Sequence, residues 1–282
     1  MTIRRIAVLG AGTMGHGIAH AAIAAGYETR LYDVAPAALD KGQAALDAVI
    51  GKGVELGKVS AGDAGAMRGR LSTTTDLADA VEGTDFIIEA APERIDLKLA
   101  LMAEIERLAP QGAVIATNTS ALSITELAGS ISRPSRVAGM HFFNPVHKMK
   151  LIEIVQAMES APETLQAIED VARTMGKETV LVRESPGFIT TRVNASLGNE
   201  AFYMLMEGVA TARDIDKALK LGLNHPMGPF ELVDLVGLDT RLSILEYLHR
   251  SLGEKYRPCP LLTQYVKAGR LGRKVGKGVY EY

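Results

Sequence analysis

At 282 residues the chain is long enough for a sizeable core and for one large domain or two of moderate size. A formal net charge of -2 and a pI near 6.3 leave no electrostatic footprint for nucleic acid or an anionic membrane surface, so neither is expected as a partner. The single cysteine, Cys259, excludes an internal disulfide and a cysteine-rich metal site and points to a reducing, cytoplasmic setting. Arg4 and Arg5 precede an apolar stretch, but glycines interrupt it, which argues against a secretory signal. No run reaches the length of a membrane span.

In chain order, Ile6-Ala7-Val8-Leu9 reads as a strand that turns through Gly10-Ala11-Gly12-Thr13-Met14-Gly15 into the helical run Ile18-Ala19-His20-Ala21-Ala22-Ile23. In that context the glycine pattern has a mechanism. The first glycine makes the tight turn, the second lets backbone approach a pyrophosphate, and the third lets helix and strand pack closely, with the phosphates on the helix N-terminus. Gly10, Gly12, Thr13, Met14 and Gly15 are therefore candidate cofactor-binding residues. A second strand over 27–32 ends in Asp33, close to the spacing of about 20 residues at which an acidic side chain meets the adenosine ribose hydroxyls. Val34-Ala35-Pro36 follows with no adjacent basic residue, which favours NAD over NADP, while Arg30 keeps NADP open.

Segments 36–54 and 97–108 carry apolar residues at helical spacing, and the glycine-rich stretch 51–70 predicts a helical hairpin projecting from the sheet. Further strands are predicted at Phe86-Ile87-Ile88, Val114-Ile115-Ala116, Val137-Ala138-Gly139-Met140, 151–155 and 179–182. Strands alternating with helices predict an α/β fold, a Rossmann-type doubly wound and mainly parallel sheet over 1–184. Ser185-Pro186-Gly187 breaks the alternation. Beyond it, 192–207, 212–221 and 239–252 read as helices, which predicts a smaller all-helical domain over 185–282.

Two polar clusters follow strands: Thr117-Asn118-Thr119-Ser120 and His141-Phe142-Phe143-Asn144-Pro145. In an open α/β sheet, ligands sit outside the carboxyl ends of the strands, so both clusters stand where a site belongs. Histidine ordinarily titrates near neutrality, which makes His141 the candidate to take a proton from an alcohol as it is oxidised. Glu153 lies on an apolar run, where an ionised carboxylate is costly unless paired. A His141-Glu153 pair would meet that cost, fix the imidazole tautomer and stabilise the imidazolium. No His/Cys/Asp/Glu cluster has metal-ligand spacing, and no metal is expected. Cys259, between two prolines, reads as inert, and His225, between Asn224 and Pro226, reads as part of a turn.

Several motifs taken together are similar to the L-3-hydroxyacyl-CoA dehydrogenases, particularly the bacterial 3-hydroxybutyryl-CoA dehydrogenases. They are the glycine turn at 10–15, Ile88-Glu89-Ala90-Ala91-Pro92-Glu93, Asn118-Thr119-Ser120, 140–145, Ser185-Pro186-Gly187-Phe188, 224–229 and Leu271-Gly272-Arg273-Lys274. The match spans essentially the whole chain. The resemblance implies NAD-dependent oxidation of the C3 hydroxyl of a 3-hydroxyacyl-CoA, with His141 as base and Glu153 as its orienting partner. Ser120 resembles the serine that hydrogen-bonds the substrate oxygen. Asp33, Glu93, Lys98, Asn118, Asn144 and Lys274 resemble NAD contacts, and Lys52 resembles a lysine that meets the coenzyme A phosphates. The neighbouring Arg270, Arg273 and Lys277 read as solvated.

One position departs from the pattern. Thr191 stands where the family places an asparagine that helps bind the substrate. A threonine hydroxyl lacks the reach and the second donor of an amide, so the substrate carbonyl is left to Thr191 itself, to a water or to another residue such as Asn194. The apolar run 230–237 suggests a face buried against a second subunit, and the resemblance implies a homodimer. Two other readings stay open: a related dehydrogenase of a free hydroxy acid or polyol, and a protein that binds NAD without turnover.

Overall fold

The computed structural model describes residues 2–282. The chain divides after Glu184 into two compact units. In the first, strand and helix alternate as β1 (Arg5–Leu9), α1 (Thr13–Ala24), β2 (Glu28–Tyr32), α2 (Pro36–Glu55), α3 (Ala61–Gly69), β3 (Leu71–Thr74), α4 (Leu77–Val81), β4 (Phe86–Glu89), α5 (Ile95–Leu108), β5 (Val114–Thr117), α6 (Ile124–Gly129), β6 (Val137–Phe142), β7 (Leu151–Gln156), α7 (Pro162–Thr174) and β8 (Glu178–Arg183). They form one eight-stranded sheet in the order β3-β2-β1-β4-β5-β6-β7-β8. Every neighbouring pair is parallel except β6–β7. This is the doubly wound architecture expected from the alternation.

Burial follows position in the sheet. The central strands β4, β5 and β6 are buried along their whole length, as strands covered on both faces must be, and they read as unbroken apolar runs closed by a polar residue or two. The edge strand β3, Leu71-Ser72-Thr73-Thr74, is the one strand that apolar patterning does not announce, because it buries no complete face. The glycine-rich stretch forms the expected helical hairpin but is packed more closely than expected. α2 runs on through Gly51 and Gly53, and α3, capped by Ser60 on the Asp63 N–H at 3.0 Å, turns Ala64 and Met67 into the core instead of projecting freely.

The second unit is helical: α8 (Thr190–Met206), α9 (Ala212–Gly222), α10 (Pro229–Val236), α11 (Leu238–Leu252) and α12 (Pro260–Lys267). Phe202, Phe230, Leu238, Leu245 and Leu262 are fully buried in its core, and the Phe202 and Phe230 rings meet edge to face at 5.2 Å. Two buried aspartates fasten the C-terminal tail. Asp234 accepts from the backbone of Val279 and Tyr280 and from the Tyr282 hydroxyl, and Asp216 accepts from the Tyr280 hydroxyl and the first turn of α10. The run 230–237 is largely consumed internally, since Phe230 and Val233 belong to this core and only Leu235 and Val236 of its large apolar side chains are exposed. Of the run expected to offer a face to a second subunit, that leaves the Leu235 and Val236 side chains on the surface. Cys259 is buried in the same core, and burial raises its thiol pKa, so it is inert.

Candidate active site

Strand register builds the site. Leu9, Glu89, Thr117 and Gly139 stand side by side across β1, β4, β5 and β6, so Gly10, Asn118 and His141 all lie just beyond that row at one edge of the sheet. The chain leaves β1 toward β2 on one side and returns to β4 on the other, which opens a crevice at the strand ends.

The glycine turn lies in that crevice. Gly10 has φ +112°, and a Cβ there would come within 2.6 Å of the Ala90 carbonyl oxygen. A Cβ on Gly15 would lie 1.6 Å from the Gly10 carbonyl oxygen, so α1 packs against β1 with no side chain between. At Gly12 a Cβ would meet nothing within 4 Å; this is the open side from which a phosphate can approach backbone. Thr13 is exposed and Met14 half-buried in the first turn of α1, which has no side-chain cap and no acidic residue, leaving its N–H groups for an anion. Asp33 reaches back to the turn: Oδ2 accepts from Ala11 N at 2.9 Å and Oδ1 from Ala35 N at 3.0 Å. Each oxygen keeps lone pairs for sugar hydroxyls. Arg30 is engaged elsewhere, donating to the carbonyls of Asp79 and Glu82. These residues fit a dinucleotide without a 2′-phosphate.

His141 and Glu153 are directly opposed in the antiparallel β6–β7 pair, so their side chains leave the same face. Nδ1 of His141 and Oε2 of Glu153 are 2.7 Å apart, and the carboxylate is fully buried. A carboxylate there requires a donor, which assigns the proton to Nδ1 and leaves Nε2 as the acceptor. Phe143 packs against the imidazole with ring centroids at 4.6 Å. Asn118 ties β5 to β6 beside it, its Oδ1 accepting from Phe142 N at 2.9 Å.

Ser120 sits in a turn built on Glu93, whose Oε1 accepts from Thr119 Oγ1 at 2.6 Å, Ser120 N at 2.8 Å and Ala121 N at 3.2 Å. Lys98 lies beneath. Its Nζ is 2.6 Å from Glu89 Oε1, 3.1 Å from the Ala91 carbonyl oxygen and 3.7 Å from Glu93 Oε2. At 1 % exposure the Lys98 side chain is covered and its ammonium faces the two carboxylates. The other expected residues are spread more widely. Asn144 is exposed on the loop after β6, and Lys52 lies on the outer face of α2, paired with Glu55 at 2.8 Å. Thr191 opens α8 in the second unit, with Asn194 one turn on, and Lys274 in that unit engages both oxygens of Asp239 at 2.7 and 2.6 Å.

Residues 5–185 match the family model of the NAD-binding domain of 3-hydroxyacyl-CoA dehydrogenase, and residues 187–282 match that of its C-terminal domain. The chain belongs to the 3-hydroxyacyl-CoA dehydrogenase family. It is 46 % identical to the probable 3-hydroxybutyryl-CoA dehydrogenase of Bacillus subtilis, over 100 % of this chain and 98 % of the relative. It is 40 % identical to the 3-hydroxybutyryl-CoA dehydrogenase of Bradyrhizobium diazoefficiens, over 99 % of this chain and 96 % of the relative. Among solved structures, (S)-3-hydroxybutyryl-CoA dehydrogenase from Ralstonia eutropha superposes with a TM-score of 0.96 at 40 % identity, covering 100 % of this chain and 99 % of that one. This 3-hydroxyacyl-CoA dehydrogenase is an oxidoreductase whose cofactor is NAD.

Sequence reasoning placed Glu89 and Thr117 in motifs of this dehydrogenase but gave neither an individual role. Glu89 is fully buried and accepts from Ala91 N, Lys98 Nζ and Thr117 Oγ1, each at 2.6 Å. The signal was present, because a glutamate closing the apolar run Phe86-Ile87-Ile88 requires a partner for the same reason as Glu153.

Proposed function

We propose that the protein interconverts a short-chain L-3-hydroxyacyl-CoA, such as 3-hydroxybutyryl-CoA, and the corresponding 3-oxoacyl-CoA. The observation that carries the residue assignment is the buried His141–Glu153 pair at the carboxyl edge of the NAD-binding sheet. Bound NAD supplies the hydride acceptor. Nε2 of His141 takes the hydroxyl proton as C3 is oxidised, and Glu153 stabilises the resulting imidazolium while holding the ring in place. Ser120 hydrogen-bonds the substrate oxygen and keeps it beside His141. Asn118 holds the β5 and β6 loops in register, and Thr191 takes the place of the family asparagine toward the thioester carbonyl. Asn144 and Lys274 serve the cofactor and Lys52 the coenzyme A phosphates. In the reverse direction the imidazolium returns the proton.

The test is NADH oxidation with acetoacetyl-CoA beside free acetoacetate, with NADPH as the alternative donor. Turnover with the thioester and NADH is the expected result. Activity with the free acid alone would favour the reading the Thr191 departure keeps open, a dehydrogenase of a free hydroxy acid. We further propose a cytoplasmic homodimer, supported by the family resemblance and by Leu221, Leu223 and Leu235 exposed in the helical unit. Sedimentation at micromolar concentration should give twice the chain mass. No helix among the described residues is long and apolar enough to cross a membrane.

A further inference from the structure

The buried ion network beneath the crevice is unbalanced. Two carboxylates, Glu89 and Glu93, face the single ammonium of Lys98, and Lys98 lies much closer to Glu89, at 2.6 Å, than to Glu93, at 3.7 Å. Arg94 next to Glu93 is taken by Asp96, so it adds no compensating charge. The network therefore carries one excess negative charge, and that charge resides on Glu93. The Glu93 side chain is also the member that reaches the surface, at 42 % exposure against 0 % for Glu89.

Its position gives the charge a role. Glu93 Oε1 is 2.8 Å from the backbone nitrogen of Ser120, the residue that the proposed function assigns to the substrate oxygen. The redox end of the cofactor has to come to the carbon bearing that oxygen. In the oxidised form the nicotinamide ring carries a positive charge, and hydride addition removes it; the rest of the cofactor keeps the same charge in both forms. A fixed carboxylate beside Ser120 thus interacts differently with the two forms. We propose that the Glu93 carboxylate shifts the affinity of this site toward the oxidised and away from the reduced cofactor, with Lys98 and Glu89 holding it in place. The proposal rests on the NAD-dehydrogenase reading.

Glu93→Gln isolates the charge. All three donors from the Ser120 turn go to Oε1, which an amide oxygen replaces, while Oε2 faces Lys98 and accepts nothing from that turn. Dissociation constants for NAD⁺ and NADH are measured separately by calorimetry on the full chain. In Glu93→Gln the constant for NAD⁺ should rise roughly three- to tenfold and that for NADH less than about twofold, a modest change because the carboxylate is partly solvated. The difference between wild type and Glu93→Gln in the ratio of the two constants should shrink as salt is raised. Glu93→Asp, which keeps the charge and shortens the reach, should stay near the wild-type ratio even if both constants worsen. Two constants moving together in Glu93→Gln, or an unchanged ratio, would overturn the proposal and leave Glu93 a purely structural anchor. A wild-type chain that binds neither form would overturn the cofactor reading itself.

Discussion

His141 and Glu153 meet because β7 runs antiparallel to its neighbour β6. In a parallel pair the chain would have to cross over through a helix, whereas here a short loop returns it so that residues 141 and 153 face each other at 2.7 Å. Replacing His141 with Ala removes the proposed base and should lower kcat by roughly 10²- to 10⁴-fold while the NAD dissociation constant stays within about twofold. Unchanged turnover would take His141 out of the mechanism. Glu153→Gln keeps the shape but offers an amide N–H where the imidazole needs an acceptor. That favours the wrong tautomer and should lower kcat on the order of 10²-fold or more, with KM for the thioester little changed. A rise in KM with kcat intact would instead mark Glu153 as a packing residue. Single residues of this kind were legible in the sequence where burial cost forced a partner on them, as with Glu153. The ion pairing of Lys98 was not, because its neighbours in space, Glu89 and Glu93, lie on the strand before it and in the loop that follows that strand, and only the folded loop brings both carboxylates to one ammonium.

At the scale of elements, the glycine turn separates packing from binding. A methyl at residue 15 would overlap the Gly10 carbonyl oxygen at 1.6 Å, so Gly15→Ala must push α1 away from β1. It should cost several kcal/mol, on the order of the largest single-residue losses, and read out as a lower urea midpoint. Gly12→Ala meets nothing within 4 Å, and alanine for glycine at an N-cap costs about 1 kcal/mol or less. That variant should fold with a nearly unchanged midpoint yet bind NAD at least tenfold more weakly, because the methyl occupies the approach of the pyrophosphate. Equal losses of stability in both variants would show that residue 12 is a packing glycine too. The strand–turn–helix unit was legible because each glycine has a distinct steric duty. β3 was not, since an edge strand of Leu71-Ser72-Thr73-Thr74 owes its existence to backbone pairing with β2 rather than to an apolar face. α3 was foreseen as an arm of a helical hairpin, but its inward packing was not. Its two buried side chains, Ala64 and Met67, are too few to set up a helical pattern among glycines.

For the molecule as a whole, the two-unit organisation was legible from the point where alternating strands give way to helices, but the response of the fold to pH depends on a cluster no motif announces. His20 on α1 is half-buried beside the His147 ring, with centroids at 6.3 Å, and its Nδ1 is buried with no hydrogen-bond partner. Burial first, then the nearby His147, Lys177 and His16, push its pKa down to about 4. Lys177 holds the same loop, donating to the Val146 and Met149 carbonyls at 2.5 and 2.8 Å, and burial depresses both it and His147. The unfolded chain protonates His20 near its ordinary value of about 6.5, while the folded chain resists down to about 4. Unfolding therefore takes up a proton across that window, and stability falls as the pH falls through it, by about 2 kcal/mol at pH ~5 from His20 alone. Asp216, whose carboxyl is raised by burial, pulls the other way, but it is common to wild type and variant. His20→Gln should accordingly show a shallower loss of urea midpoint between pH ~7.5 and ~5 than the wild type. Parallel curves for the two proteins would mean that His20 takes up its proton in the folded state, and that the acid sensitivity of the sheet lies elsewhere.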